Sequence, residues 1–216
     1  RLLLQGHAPA RAAIDGGLGA AAAGLGGGLA THPSQPLAAS AGADGTLRLW
    51  SLERHEMVTM RPLPAAAAAV AFSPDGSLIV VGLETGEWLL LETSSLRPLH
   101  PAAADATATQ QPGGAVCDAK FSPDGTLLAL AAADCAIHVY AHAAGGWAAG
   151  WHRVAVCGGH SAALTQVDWS EEAVTLAGAD AAGRVRGGDA AAAEAAAEAE
   201  CWLLRAAGVA SELAHW

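Results

Sequence analysis

FSPDG, residues 72–76, returns letter for letter at residues 121–125. Chance repetition of a pentapeptide is improbable in a chain of 216 residues, so an internal repeat has to be settled first. Anchored on the residue before the turn, HPSQ (32–35), SPDG (73–76), SPDG (122–125) and SEEA (170–173) fall into line. Thr31, Phe72, Phe121 and Trp169 precede them, at spacings of 41, 49 and 48 residues. An apolar run follows each turn: PLAAS, SLIVV, TLLAL and VTLAG. A second short run follows in the first three units, TLRLW (46–50), EWLLL (87–91) and AIHVY (136–140), without a gap in register.

Local chemistry explains the phrase. Ser and Asp accept backbone hydrogen bonds, Pro presets φ, and Gly takes φ > 0 where the turn ends. Such a run between two β-prone stretches is a hairpin connection. Each unit therefore reads as three or four short antiparallel strands, a sheet too small to bury both faces alone. A period of this length with such a unit is the signature of a β-propeller blade. The expected fold is all-β, a partial propeller with about four blades near 29–60, 69–100, 116–142 and 154–188. Rings usually close with more blades than that, so the arc is expected to leave two sheet edges exposed and the chain to associate or aggregate.

Composition narrows the function classes. The chain holds 11 Lys+Arg against 21 Asp+Glu, a formal net charge of −10. Phosphate-backbone binding normally shows a basic patch, and no such patch is visible; nucleic acid is not an expected partner. No stretch reads as a membrane helix, and the Gly/Ala run at 16–30 lacks the large apolar residues that favour insertion, so no membrane partner is expected. RLLLQGHAPA (1–10) has too short an apolar core for a signal peptide, and Arg1 in place of Met fits a fragment of a longer chain. Cys117, Cys135, Cys157 and Cys201 form no C-x-x-C pair and point to a reducing, cytosolic compartment.

SAGADGTLRLW (40–50) and GGH (158–160) ahead of Trp169 resemble WD40 repeats. That resemblance implies a buried hydrogen-bonded chain of His, Ser/Thr, Asp and Trp within a blade, a role falling on His7, Ser40, Asp44 and Trp50, with His160 opening the fourth unit. Asp44 is then a structural acid; the plainer reading is an ordinary turn aspartate. Three stretches are more specific: LATHPSQPLAASAGADGTLRLW (29–50), FSPDGSLIVVGLETGEWLLLET (72–93) and GHSAALTQVDWS (159–170). They resemble the second propeller of the echinoderm microtubule-associated protein-like family, over roughly 29–180. Members of that family carry tandem propellers that bind tubulin and work on microtubules or in cilia. Their basic lattice-binding region and coiled coil lie outside the propellers.

Several stretches depart from the pattern. Residues 8–28 form a Gly/Ala-rich insertion in which Gly17, Gly19 and Ala22 spell G-x-G-x-x-A. A dinucleotide site needs a strand before that motif and a helix after it; RAAID is a poor strand, so the stretch reads as a loop and no cofactor is expected. The second and third units end on Leu91 and Tyr140 in place of Trp, so the polar chain is expected to be missing there. RVRGG (184–188) offers little apolar surface, and the resemblance is expected to stop at that strand. The tail 189–216 contains DAAAAEAAAEAECWLLRAA (189–207), helical by propensity with Asp189 as N-cap; a docking helix and a poorly ordered tail both fit.

Chemistry is sparse. His138 and His142 share a strand face, but no Cys or carboxylate completes a metal set beside them, and they read as surface histidines. No G-x-S-x-G, P-loop or H-E-x-x-H occurs in the sequence, and no catalytic residue is expected. Trp147 and Trp151 read either as partner anchors or as packing over a blade edge. Arg48, Arg54 and Arg61 form the densest basic stretch and are the weak candidates for a partner contact, against the plainer reading of a solvated edge. The expectation is a non-catalytic protein-interaction scaffold of the cytoplasmic cytoskeleton or ciliary axoneme, with tubulin or microtubule-associated proteins as partners. A WD40 adaptor in a signalling or ubiquitin-ligase complex is the alternative, and a nucleotide-binding enzyme the third reading.

Overall fold

The computed structural model describes residues 7, 28–101, 111–142, 150–171 and 175–189. Fifteen strands are found among them and no helix. The first sheet holds β1 (Gly28–Thr31), β2 (Leu37–Gly42), β3 (Thr46–Ser51) and β4 (Glu56–Pro62). The second holds β5 (Ala67–Phe72), β6 (Leu78–Leu83), β7 (Trp88–Glu92) and β8 (Pro98–Pro101). The third holds β9 (Val116–Phe121), β10 (Leu127–Ala132), β11 (Ile137–His142) and β12 (Trp151–Cys157). The fourth holds β13 (Leu164–Trp169), β14 (Thr175–Asp180) and β15 (Val185–Asp189). Each sheet is an antiparallel meander in chain order. Together they make an all-β, partial β-propeller.

The repeated pentapeptide builds the same turn twice. Ser73 donates from Oγ to Asp75 Oδ1 at 2.5 Å, and Asp75 also accepts from Ser77 N (3.0 Å) and Ser77 Oγ (2.7 Å). In the second copy Ser122 donates to Asp124 at 2.5 Å, and Asp124 accepts from Thr126 N (3.1 Å) and Oγ1 (2.7 Å). Gly76 and Gly125 both close the turn at φ 75°. Ser170 N bonds Thr175 O at 2.9 Å, so the fourth unit keeps the framework without the Pro-Asp-Gly chemistry. The β2–β3 type of turn is as regular. Gly45, Gly86 and Gly183 take positive φ there, and Cys135 takes φ 67° at the same point in the third sheet.

These turns carry an acid dependence. Partial burial acts to raise the pKa values of Asp75 and Asp124, but hydrogen bonds from Ser73 and Ser77, and from Ser122 and Thr126, outweigh it and hold both below the ordinary 3.8. A carboxyl whose folded pKa is depressed contributes stability that is full above its unfolded value and fades as pH falls through the folded one. The double variant Asp75→Asn/Asp124→Asn is therefore expected to be less stable at neutral pH. It should also lose less on acidification below about pH 4 than the parent chain. Urea melts as a function of pH check this; parallel curves would contradict it.

The sheets stack through their faces. β1, β5, β9 and β13 stand next to one another on the inner side of the arc. Between the first and second sheets lie Ala39, Ala41, Leu47 and Leu49 against Val70, Ile79, Val81 and Leu91. Val80, Trp88 and Leu90 meet Ala119, Phe121, Leu128 and Tyr140 at the next joint. Ala129, Ile137 and Val139 meet Leu164, Val167 and Trp169 at the third. Small residues allow close approach: a Cβ on Gly82 would lie 2.4 Å from Val116, and one on Gly178 2.7 Å from Ile137. Polar ties cross the joints as well. His32 Nε2 donates to Gly76 O (3.1 Å), Trp169 Nε1 to Lys120 O (3.1 Å), and Val167 N to Asp118 (3.0 Å).

Residues 154–157 pair with β11 and complete the third sheet rather than opening the fourth, because Ile137↔Cys157 through His142↔Trp151 form one ladder. The ends of the arc expose sheet faces, where the sequence suggested edges. Gly28, which the sequence placed in the insertion, opens β1 instead; the rest of the insertion, 8–27 with Gly17, Gly19 and Ala22, lies outside the described residues, as do Trp147 and the tail beyond Asp189. Among the described residues no helix is long and apolar enough to cross a membrane.

Candidate functional site

The first sheet carries a continuous polar chain. Trp50 donates from Nε1 to Ser40 Oγ (2.8 Å), Ser40 lies 2.8 Å from His7 Nε2, and His7 Nδ1 lies 2.8 Å from Asp44 Oδ1. One direction of donation satisfies every link: indole N–H to Ser40, Ser40 O–H to Nε2, and Nδ1–H to the carboxylate. Asp44 also accepts from Thr46 Oγ1 (2.7 Å), Thr46 N (3.2 Å) and Arg48 Nη2 (2.9 Å). β2 and β3 position Ser40 and Trp50, the tight turn between them holds Asp44, and the imidazole packs where a Cβ on Gly42 would stand 2.5 Å away. These bonds tie the turn between β2 and β3 to the chain at His7.

The third and fourth sheets hold His–Asp pairs of their own, the fourth with its carboxylate two residues before the position of Asp44. In the fourth, His160 Nδ1 lies 3.2 Å from Asp180 Oδ2, with both side chains fully buried. Gly178 and Gly188 stand where Ser40 and Trp50 stand in the first unit. The backbone N–H of Arg184 lowers the Asp180 pKa most, followed by His160 and Ala182 N–H, against the upward push of burial.

In the third sheet His138, which the sequence suggested was a surface residue, is 4% exposed and lies 2.9 Å from Asp134 Oδ2. It takes the place of Arg48, and Asp134 that of Asp44, so a hydrogen bond between base and carboxylate is retained with a different base. Burial pushes the His138 imidazole below its ordinary pKa even though Asp134 pulls the other way. The same carboxylate accepts from Gly113 N (2.7 Å) and pins the strand entry. The third unit thus keeps a polar link of its own without the tryptophan.

The three candidate arginines do not share a surface. Arg48 is cross-strand to Ser40 and Met60, Arg61 to Leu47, so they point to opposite faces of the first sheet. Arg48 is tied to Asp44, and Arg61 donates to Leu96 O of the second sheet at 3.0 Å. Arg54 stands in the exposed turn, 3.7 Å from Glu56. Trp151 joins an aromatic cluster with Trp88 (6.3 Å), Phe121 (6.2 Å) and His142 (5.6 Å). Tyr140 packs on Trp88 at 5.1 Å, and burial pushes its hydroxyl pKa up to about 12. On the inner side of the arc, a hollow of about 410 Å³ is lined by β1, β5 and β9, with Thr31, Asp118 and Lys120 as its polar groups. Asp118 is held high by burial, against hydrogen bonds from Val167 and Ala119 N–H. Among the described residues, no group of three or more His, Cys, Asp or Glu side chains could hold a metal ion.

The family model of the echinoderm microtubule-associated protein second β-propeller matches residues 27–200. Echinoderm microtubule-associated protein-like 2 from Rattus norvegicus is 37% identical over 146 residues, covering 67% of this chain and 21% of its own length. Echinoderm microtubule-associated protein-like 3 from Mus musculus is 34% identical over 145 residues, 67% of this chain and 15% of that one. The 77 kDa echinoderm microtubule-associated protein of Strongylocentrotus purpuratus is 29% identical over 150 residues, 69% of this chain and 20% of that one. The chain thus spans at most about a fifth of the length of these relatives. The family match runs past Val185–Asp189, where the sequence suggested it would stop. β15 pairs through its backbone along Thr175–Ala179 of β14, and that pairing needs no apolar side chain.

Proposed function

This chain belongs to the family of echinoderm microtubule-associated protein second β-propellers, and from that we propose that it is a non-catalytic interaction scaffold of the microtubule cytoskeleton, ciliary axonemes included. Tubulin or microtubule-associated proteins are its partners on this reading. The family match across residues 27–200 is the observation that carries it, together with relatives that are named for microtubule association. The polar chain His7–Ser40–Asp44–Trp50 serves here as a blade clamp rather than a reaction centre.

Electrostatics set how such a scaffold would meet tubulin, whose surface is acidic. A chain of net charge −10 is repelled at low salt. Arg48 and Arg61 are already engaged within the fold, which leaves little basic surface on the first sheet to offset that repulsion. Contact is therefore apolar and weak for this chain alone. Co-sedimentation with stabilised microtubules over roughly 50–300 mM salt tests the reading. Weak pelleting that holds or grows as salt screens the repulsion is the expected outcome. Failure to pellet at every salt concentration, with no cross-linking to tubulin dimers, would overturn direct tubulin contact. Binding that collapses as salt rises would show a basic docking patch instead.

A further inference from the structure

The third sheet has a neighbour on each side, and its turn from β10 to β11 is built unlike the corresponding turns of the other sheets. Gly45, Gly86 and Gly183 give those turns a glycine at positive φ, whereas Cys135 takes φ 67° here, a conformation that strains a residue carrying a Cβ. The Asp134 carboxylate holds the turn shut. It accepts from Gly113 N (2.7 Å), Ala136 N (3.2 Å) and His138 Nε2 (2.9 Å). Gly113 belongs to the stretch that enters the third sheet, and that stretch also rests on the second sheet's turn. A Cβ on Gly86 would stand 2.8 Å from Pro112 O and 3.0 Å from Gly114 O. One carboxylate thus ties together a strained turn, a strand entry and, through that entry, the neighbouring sheet.

His138 is the titratable member of this tie. Seventeen residues beyond Thr31, Phe72, Phe121 and Trp169 stand Arg48, Leu89, His138 and Arg186, so the other bases at this position are permanently charged. An ionised Asp134 can only accept, so Nε2 carries the ring proton and Nδ1 is left as an acceptor. Nδ1 is buried and has no hydrogen-bond partner among the described residues. A second proton would have to go there, where nothing accepts it and water is excluded. Of the charged groups facing the ring, Asp134 favours that proton and Arg153 on β12 opposes it. The Cys117 thiol on β9 is pushed up by burial and the Tyr140 hydroxyl to about 12, so both stay neutral in mild acid. Across the joint the second sheet presents Val80, Trp88 and Leu90, none of which titrates. Burial outweighs the carboxylate and holds the imidazole below its ordinary 6.5.

We propose that His138 is an acid-sensitive latch of the third sheet: while neutral it keeps the Asp134 turn and the strand entry at Gly113 closed, and acidification opens them as the ring takes up one proton. The sign follows from linkage. A base whose pKa is depressed in the closed state contributes stability that is full above the open-state value of 6.5 and is lost as pH falls below it. Opening loosens the loop face that the second and third sheets share. The SPDG turns, at the opposite ends of the strands, stay closed because Asp75 and Asp124 titrate only below 3.8.

Amide hydrogen exchange of the full chain, corrected for the intrinsic pH dependence of exchange, tests this. Opening constants at Gly113 N and Ala136 N are expected to rise at least roughly threefold between about pH 7.5 and about pH 5.5. Those at Ser77 N and Thr126 N, which bond Asp75 and Asp124, should not change. His138→Gln keeps a donor for Asp134 but takes up no proton, so its opening constants at Gly113 and Ala136 should move by less than about 1.5-fold over the same range. An NMR pH titration of the His138 ring in the parent chain reads the same claim without a substitution, and its midpoint is expected below 6.5. Protection at Gly113 and Ala136 that is flat with pH would overturn the proposal, as would an equal pH step in His138→Gln or a His138 midpoint at or above 6.5.

Discussion

Replacing Gly76 by alanine is expected to remove about 3 kcal/mol of stability, a left-handed backbone cost of about 1–2 and a packing clash of similar size. Gly76 sits at φ 75°, and a Cβ there would stand 2.2 Å from Cε1 and 2.3 Å from Nε2 of His32. The ring cannot simply swing aside. Its Nδ1 accepts from Ser34 N (3.2 Å) and Gln35 N (3.0 Å), while Nε2 donates to the carbonyl of Gly76 itself. Its edge also meets Phe72 at 5.1 Å. The first and second sheets are thus locked through one imidazole. His32→Ala loses the lock but removes the obstacle, so the double variant should be more stable than the sum of the single losses implies, by about 1 kcal/mol or more. Urea melts of the four proteins measure this coupling. Strict additivity, or a loss below about half a kcal/mol for Gly76→Ala, would show that the turn does not sit against His32.

What the residues disclosed in advance follows from how far each interaction reaches along the chain. SPDG announces its turn because every donor and acceptor lies within five residues of its partner. Period-two burial in stretches such as TLRLW likewise announces strands and their inner face. His7, Ser40, Asp44 and Trp50 could be singled out because a known motif places them in one sheet.

The ties between sheets carry no such mark. His32 reaches Gly76 44 residues on, and Trp169 reaches the Lys120 carbonyl 49 residues back. A backbone acceptor leaves no trace in the sequence. His138 was misjudged because a histidine on a strand does not declare its face. Asp134 four residues earlier, at the position of Asp44, was the available signal. The arginines at 48, 54 and 61 looked like one patch along the chain, but a hairpin turns Arg48 and Arg61 to opposite faces.

The stacking of successive sheets is tested most directly at one repeated position, Ile137 and Val185. Both are aliphatic, both open the third strand of their sheet, and both point toward the side on which the next sheet would sit. Ile137 is fully buried there and Val185 is more than half exposed. Chemical denaturation at concentrations where the chain sediments as a single copy should show Ile137→Ala losing about 3 kcal/mol. Val185→Ala should lose no more than about 0.5 kcal/mol. Equal large losses would mean that the fourth sheet is already covered within one chain, and two small losses would mean that the sheets are not stacked at all.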